Sequence, residues 1–245
     1  MILGVIQARM KSSRLPGKVL KPMAGLPMLT HVIKRALACR MIDRMVIITS
    51  EEPEDHEIVK LGSHFMQVVT THKLLPDGSN DVLAWFAHAV EVYPNTNHLV
   101  RITGDCPLWC PLLGAEVIAH HLAHGRYYTT NVTREVDGFD VEVFTREALN
   151  DAHHAATECY DRHHVTPWIR RNRPFHFIDH RELVGGAKLS VDTQADFDRC
   201  LDIAEELHRY SKPVNNMTVM DVFDMKGYER CSDIPSHSPT SNGPS

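Results

Sequence analysis

Four short, largely apolar runs, Ile2-Leu3-Gly4-Val5-Ile6, Met45-Val46-Ile47-Ile48-Thr49, Phe65 to Val69 and His98-Leu99-Val100-Arg101-Ile102, alternate with segments whose apolar residues return every three or four positions. Continuous runs of this length read as strands buried on both faces, and the segments between them read as amphipathic helices. The resulting β-α-β-α-β-α order confines the chain to an α/β domain built on a mostly parallel sheet with right-handed crossovers. Pro27 opens a helix through Met28, Leu29, Val32, Ile33, Ala36 and Leu37. Glu51, Glu52, Glu54 and Asp55 suit the positive end of a second helix that reaches Leu61 and stops at Gly62. The turn from Pro76 to Asn80 leads into a third through Val82, Leu83, Phe86, Ala87 and Val90, and Pro111 opens a fourth.

Beyond His124 the order loosens. Short strands are expected at Tyr127 to Thr130, Asp140 to Phe144 and Phe175 to Ile178, with helices near Thr145 to Ala156 and Tyr160 to Arg171. A last strand, Lys188 to Val191, precedes a helix from Asp192-Thr193 through Leu207. The domain is expected to span residues 1–225, with a small lobe at about 127–180. The Ser/Pro/Gly/Asn-rich stretch 226–245 is expected to be a flexible tail.

The 245 residues carry a net charge of −5 with histidines neutral, so the overall field opposes nucleic-acid binding, and any anion site must be a local concentration of Arg and Lys. No apolar run approaches the ~20 residues that cross a bilayer, and Met1 to Ile6 lacks signal-peptide character, so a cytoplasmic protein is expected. The six cysteines contain no C-x-x-C pair, which argues against a disulfide framework or a cysteine zinc site. Histidine doublets stand at His120-His121, His153-His154 and His163-His164. Neighbours on a helix point about 100° apart and cannot share one ion, so no histidine metal site is expected.

The candidate site begins where the first strand ends. Gln7-Ala8-Arg9-Met10-Lys11-Ser12-Ser13-Arg14-Leu15-Pro16-Gly17-Lys18 places cations and hydroxyls at the carboxyl edge of the expected sheet, where open α/β sheets bind ligands. Neither the P-loop nor the dinucleotide glycine pattern is present, so a phosphate here would be held mainly by side chains. Asp105, in Thr103-Gly104-Asp105-Cys106-Pro107-Leu108, and Asp192, in Ser190-Val191-Asp192-Thr193, each follow an expected strand. By type and spacing alone, Asp105 is equally a turn aspartate and Asp192 a helix N-cap.

These segments, with Gly138-Phe139-Asp140-Val141-Glu142-Val143-Phe144 and His164-Val165-Thr166-Pro167, resemble in order the motifs of the nucleotide-sugar cytidylyltransferases, the group holding CMP-Kdo and CMP-sialic acid synthetases. They are most similar to the branch of spore coat polysaccharide biosynthesis protein F. The resemblance implies a Rossmann-like three-layer nucleotidyltransferase fold, glycosyltransferase-A-like, with a small α+β acceptor and dimerisation lobe. It implies transfer of CMP from CTP to a hydroxyl of an acidic sugar, with pyrophosphate released, Mg²⁺ as cofactor and a homodimer as the assembly. Carried over by position, it puts Ala8, Arg9, Arg14, Lys18, Ser79, Asn80 and Asp105 on the nucleotide. Arg14, Lys18, Asp105 and Asp192 become the catalytic set, and Asp105 and Asp192 the metal ligands. Asp140, Glu142 and His164 form the acceptor site.

If Asp105 and Asp192 share one Mg²⁺, their carboxylates must lie within about 8 Å. Lys11, Cys110 and His163 depart from the branch pattern, standing where it has Gly, Asp and Glu. Rival readings are a same-fold transferase with another nucleotide or with a phosphonate or polyol-phosphate acceptor, and an inactive nucleotide-binding protein.

Overall fold

The computed structural model describes residues 1–71, 74–75, 78–132, 136–181, 186–209, 220, 224, 226 and 227. Its centre is a seven-stranded sheet ordered β10-β7-β9-β6-β1-β4-β5, built from β1 (Ile2–Gln7), β4 (Arg44–Ser50), β5 (Gln67–Thr71), β6 (His98–Thr103), β7 (Tyr128–Thr130), β9 (Glu142–Thr145) and β10 (Phe175–Phe177). The pairs β1/β4, β1/β6, β4/β5 and β10/β7 are parallel, and β9 runs antiparallel to β6 and β7. The expected mostly parallel sheet is present. From β1 the chain winds outward through β4 to β5 and then returns to β6 on β1's other side, so the carboxyl ends of β1 and β6 form a topological switch point.

Side-chain alternation divides the core into two layers around the sheet. Leu3, Val5 and Leu99 pack with α3 (Val82–Val92) and α5 (Arg146–Ala155). Ile6, Val100 and Ile102 face α1 (Met28–Leu37), α4 (Pro111–His124) and α8 (Gln194–Arg209), and Ile58 of α2 (His56–Gly62) joins that layer. Helices on both faces exclude water from the sheet, which is why its strands are apolar without alternation.

Besides β9, which starts at Glu142 rather than Asp140, three sequence expectations fail for identifiable reasons. β5 starts at Gln67, two residues late, because Phe65 and Met66 donate their backbone N–H groups to the Gly62 carbonyl and close α2. The helix expected over Tyr160 to Arg171 is two, α6 (Cys159–His164) and α7 (Pro167–Asn172). Val165 between them takes φ 74°, ψ −57°, the rarer and strained hand of the γ-turn, closed by Thr166 N–H to the His164 carbonyl at 2.9 Å. Pro167 has no N–H to donate to the His163 carbonyl, so the helical hydrogen-bond ladder cannot run through.

The third failure concerns the last strand. Only Ala187–Lys188 (β11) is extended, and it pairs with β8 (Val136–Asp137) in a separate two-stranded sheet. Gly138, at φ 96°, permits this approach, since a Cβ there would lie 2.5 Å from the backbone of Leu189. A further antiparallel pair joins β2 (Pro22–Met23) to β3 (Leu26–Pro27). Of the expected tail, only Lys226 and Gly227 are among the described residues.

Candidate active site

Loop 8–18 leaves β1 at the switch point and folds back on itself, with Gly17 N–H donating to the Met10 carbonyl at 3.0 Å. Gly17 carries the left-handed backbone, φ 70°. Lys11 does not, so its replacement of a glycine costs no backbone strain. Asp55 anchors the loop's start by accepting from Met10 N–H at 2.6 Å and from the Ser50 hydroxyl. Gly104 lets the Asp105 turn lie directly against it: Gly104 N–H meets the Gln7 carbonyl at 2.8 Å, and a Cβ would come 2.9 Å from that oxygen.

These elements enclose a cleft of about 370 Å³, within the usual range for small-molecule sites. Arg9, Lys11, Arg14, Lys18 and Arg101 line it together with Asp105, Asp192, Val82, Trp85, His163 and His164. A neighbouring hollow of about 260 Å³ shares Arg9 and Lys11 and is lined by Gly78, Ser79 and Asn80. Ala8, buried, lines the first hollow. His164 lines the cleft as expected, and burial, followed by the charges of His163 and Arg101, lowers its pKa.

Asp192 reaches the cleft without being a strand end of the central sheet. Val191 N–H donates to the Asp105 carbonyl at 2.8 Å, which lays the segment before Asp192 along the Asp105 turn. Its expected alternative role is taken by its neighbour. Thr193 Oγ1 accepts from Asp196 N–H at 3.3 Å while Asp196 accepts from Thr193 N–H at 2.9 Å, a capping box that starts α8. Asp192 is therefore not the N-cap.

The side chain that joins the two aspartates is Lys18. Its ammonium sits 2.9 Å from Asp105 Oδ2, 3.5 Å from Asp192 Oδ1 and 2.5 Å from the Val191 carbonyl. Two carboxylates touching one ammonium satisfy the 8 Å expectation. Lys18 is buried, only 8% exposed, although it belongs to a cation-rich loop. Arg14 is the exposed cation, reaching Asp192 Oδ1 at 2.8 Å from the rim. Asp192 further accepts from Lys188 at 3.1 Å, and these three cations together outweigh burial to hold its pKa below the usual range.

The other two expected acceptor residues do not line the cleft. Glu142 is buried, forms an ion pair with Arg101 and accepts from Tyr128 OH at 2.6 Å and Thr166 Oγ1 at 2.5 Å. It is held by three donors and buried away from the cleft lining. Its effect on the site runs through Arg101, which also donates to Gln7 Oε1 at 3.1 Å. Asp140 stands behind the Asp105 turn, its carbonyl accepting from Trp109 Nε1 at 3.1 Å.

Burial, then the charges of Asp137 and Glu142, raise the Asp140 pKa to about 8. The folded state then holds a proton there that the unfolded chain releases near pH 4, so stability falls as pH rises from about 4 to 8. Asp140→Asn is expected to flatten that slope and raise Tm at pH 8 by ~2 °C or more. An unchanged slope in thermal melts across that pH range would remove the effect from Asp140.

Sequence reasoning missed Asp55, Arg101 and Arg35. Arg35, buried and with its pKa lowered to about 10 by burial, steadies the turn after Asp105 through the Leu108 and Trp109 carbonyls at 3.2 and 3.3 Å. Arg101 had a signal, a charge inside an apolar strand. Asp55 and Arg35 had none, because their periodicities are those of ordinary helix starts and surface faces.

The sequence pattern of the family described as Cytidylyltransferase matches residues 3–207. The chain is 30% identical over 208 residues to the spore coat polysaccharide biosynthesis protein SpsF of Bacillus subtilis, covering 80% of this chain and 83% of that protein. It is 33% identical over 123 residues to the 3-deoxy-manno-octulosonate cytidylyltransferase of Synechococcus elongatus, covering 50% of this chain and 47% of that one. A solved cytidylyltransferase from Leptospira borgpetersenii superposes with a TM-score of 0.82 at 22% identity, over 96% of this chain and 99% of that one.

Proposed function

This chain belongs to the cytidylyltransferase family and is a nucleotidyltransferase, and we propose that it transfers CMP from CTP to a hydroxyl of an acidic sugar in surface polysaccharide or glycoconjugate synthesis. The observation that carries this reading is the convergence of Arg9, Arg14, Lys18, Asp105 and Asp192 on one cleft at the switch point. In this reading the triphosphate lies along loop 8–18, with Arg9 and Arg14 neutralising its phosphates and Lys18 placed beside the α-phosphorus. The base extends past Arg9 into the hollow lined by Ser79 and Asn80, and the acceptor enters beside His164. The acceptor hydroxyl attacks the α-phosphorus and gives its proton to solvent, the bond from the α-phosphorus to the oxygen bridging to the β-phosphate breaks, and pyrophosphate leaves.

Positioning and charge neutralisation suffice for such a step, so no protein nucleophile is assigned. The Asp105/Asp192 pair fits Mg²⁺: its donors are hard oxygens, and it already holds a cation, the Lys18 ammonium, between its two members. When bound there, Mg²⁺ would neutralise charge on the phosphates. Two copies of the chain are proposed to associate through the lobe at about 127–180.

A pyrophosphate-release screen of the four nucleoside triphosphates against sugar acids and phosphonates tests the assignment. Release with CTP and a sugar acid supports it, and release only with a phosphonate or another nucleotide overturns it. Arg14→Ala is expected to weaken CTP binding about tenfold to a hundredfold, the loss of one charge-assisted contact. Because Arg14 is exposed, its Tm should stay near wild type. Unchanged CTP affinity by calorimetry would take Arg14 out of the triphosphate site.

A further inference from the structure

At the far end of α4 from the cleft, three histidines from two elements meet. His120 and His124 lie one helical turn apart on α4, so both project from one face, and His176 comes from the edge strand β10. The imidazole rings stack, with centroids 4.4 Å apart for His124 and His176, 5.6 Å for His120 and His124, and 5.8 Å for His120 and His176. One ring nitrogen from each lies within 4.8 Å of the others. We propose that His120, His124 and His176 form a transition-metal site, best matched to Zn²⁺, that ties the last turn of α4 to β10.

Three observations carry this. First, helical i,i+4 spacing is a common way to present two imidazoles to one ion, and the adjacent-residue geometry that disqualified the doublets does not apply to it. Second, His124 Nδ1 lies 2.8 Å from the His120 carbonyl. A carbonyl can only accept, so Nδ1 carries the proton and Nε2 keeps a lone pair, the arrangement that a backbone carbonyl imposes on metal-bound histidines. Third, His120 Nδ1 is buried without a hydrogen-bond partner among the described residues. A buried polar atom left this way is uncommon, and an ion is one of its ordinary explanations.

Zn–N bonds of about 2.0–2.1 Å require the nitrogens to close in from their present separation and the near-parallel rings to turn their lone pairs onto one point. Imidazole ligands suit Zn²⁺, Cu²⁺ and Ni²⁺ over Mg²⁺, so the site would not compete for the cation of the catalytic carboxylates. Its role is structural. None of the three lines the cleft, and α4 separates His124 from the Asp105 turn by about 20 Å of helix. The benefit falls on β10, an edge strand of three residues that, among the described residues, pairs with β7 alone.

The test is a Zn²⁺ titration of the full chain by calorimetry, with excess Mg²⁺ present, alongside melts with and without Zn²⁺. One equivalent is expected to bind and raise Tm by about 5 °C. His124→Gln and His176→Asn should each weaken binding at least tenfold and lose the Tm rise. His88→Gln, on an exposed histidine of α3, should behave as wild type. The metal-free Tm of each variant reports whether it folds. In Co²⁺-loaded wild type, visible absorption bands of a four-coordinate site should appear and be absent from both cluster variants. Absence of Zn²⁺ binding, or equal binding by both cluster variants and wild type, overturns the site.

Discussion

Asp105→Asn and Asp192→Asn are each expected to lower kcat by roughly 10²- to 10³-fold, the scale seen when one preorganised charge is removed from a reacting centre. The half-saturating Mg²⁺ concentration should rise in both. The geometry gives each carboxylate two duties, holding Lys18 in place and, in the proposed reading, ligating Mg²⁺. An amide keeps the shape and a hydrogen-bond acceptor but loses the charge, so the fold should survive while the attraction for both cations falls. Steady-state pyrophosphate release at varied Mg²⁺ separates the two duties. A loss of kcat with unchanged Mg²⁺ dependence would mean that the aspartates serve Lys18 alone. Wild-type kcat in either variant would end the two-aspartate mechanism.

Lys18→Met is expected to damage both turnover and fold. Breaking a buried ion pair by removing one partner typically costs ~3–5 kcal/mol, because the other charge is left uncompensated. Here the lower end applies: Asp105 is about a third exposed, and Asp192 keeps Arg14 and Lys188. A cost of ~3 kcal/mol should appear as a Tm fall of about 6–12 °C for a chain of this size. Arg14→Ala shares the loop but not the burial, and the contrast between the two variants isolates that cause. A Lys18→Met Tm equal to wild type would show that the ammonium has no structural part, whatever happens to turnover.

The sequence by itself determined the parallel strands β1, β4, β5 and β6, the helices between them and the loop that carries the site. Apolar runs bounded by helical periodicity have few other ways to exclude water, and a cation-rich loop leaving the first such run must emerge at a strand's carboxyl end. The motif order also identified the family. Only the tertiary structure decided what each charged side chain does, because charge, hydroxyl and amide are shared vocabulary that acquires a role through distance and burial.

Three residues show the difference. Lys18 reads as one more cation of a phosphate loop and becomes a buried strut between two aspartates through contacts made with residues 105, 191 and 192. Glu142 reads as a sugar ligand and is consumed by Arg101, Tyr128 and Thr166. His120 reads as half of an unusable doublet; helical spacing sets it beside His124, but His176 joins them only when β10 is laid along the edge of the sheet. Local pattern specifies which backbone forms, since hydrogen bonding and apolar burial act over a few residues. The long-range pairing of polar groups is fixed only once the core has folded and removed the water that would otherwise satisfy them.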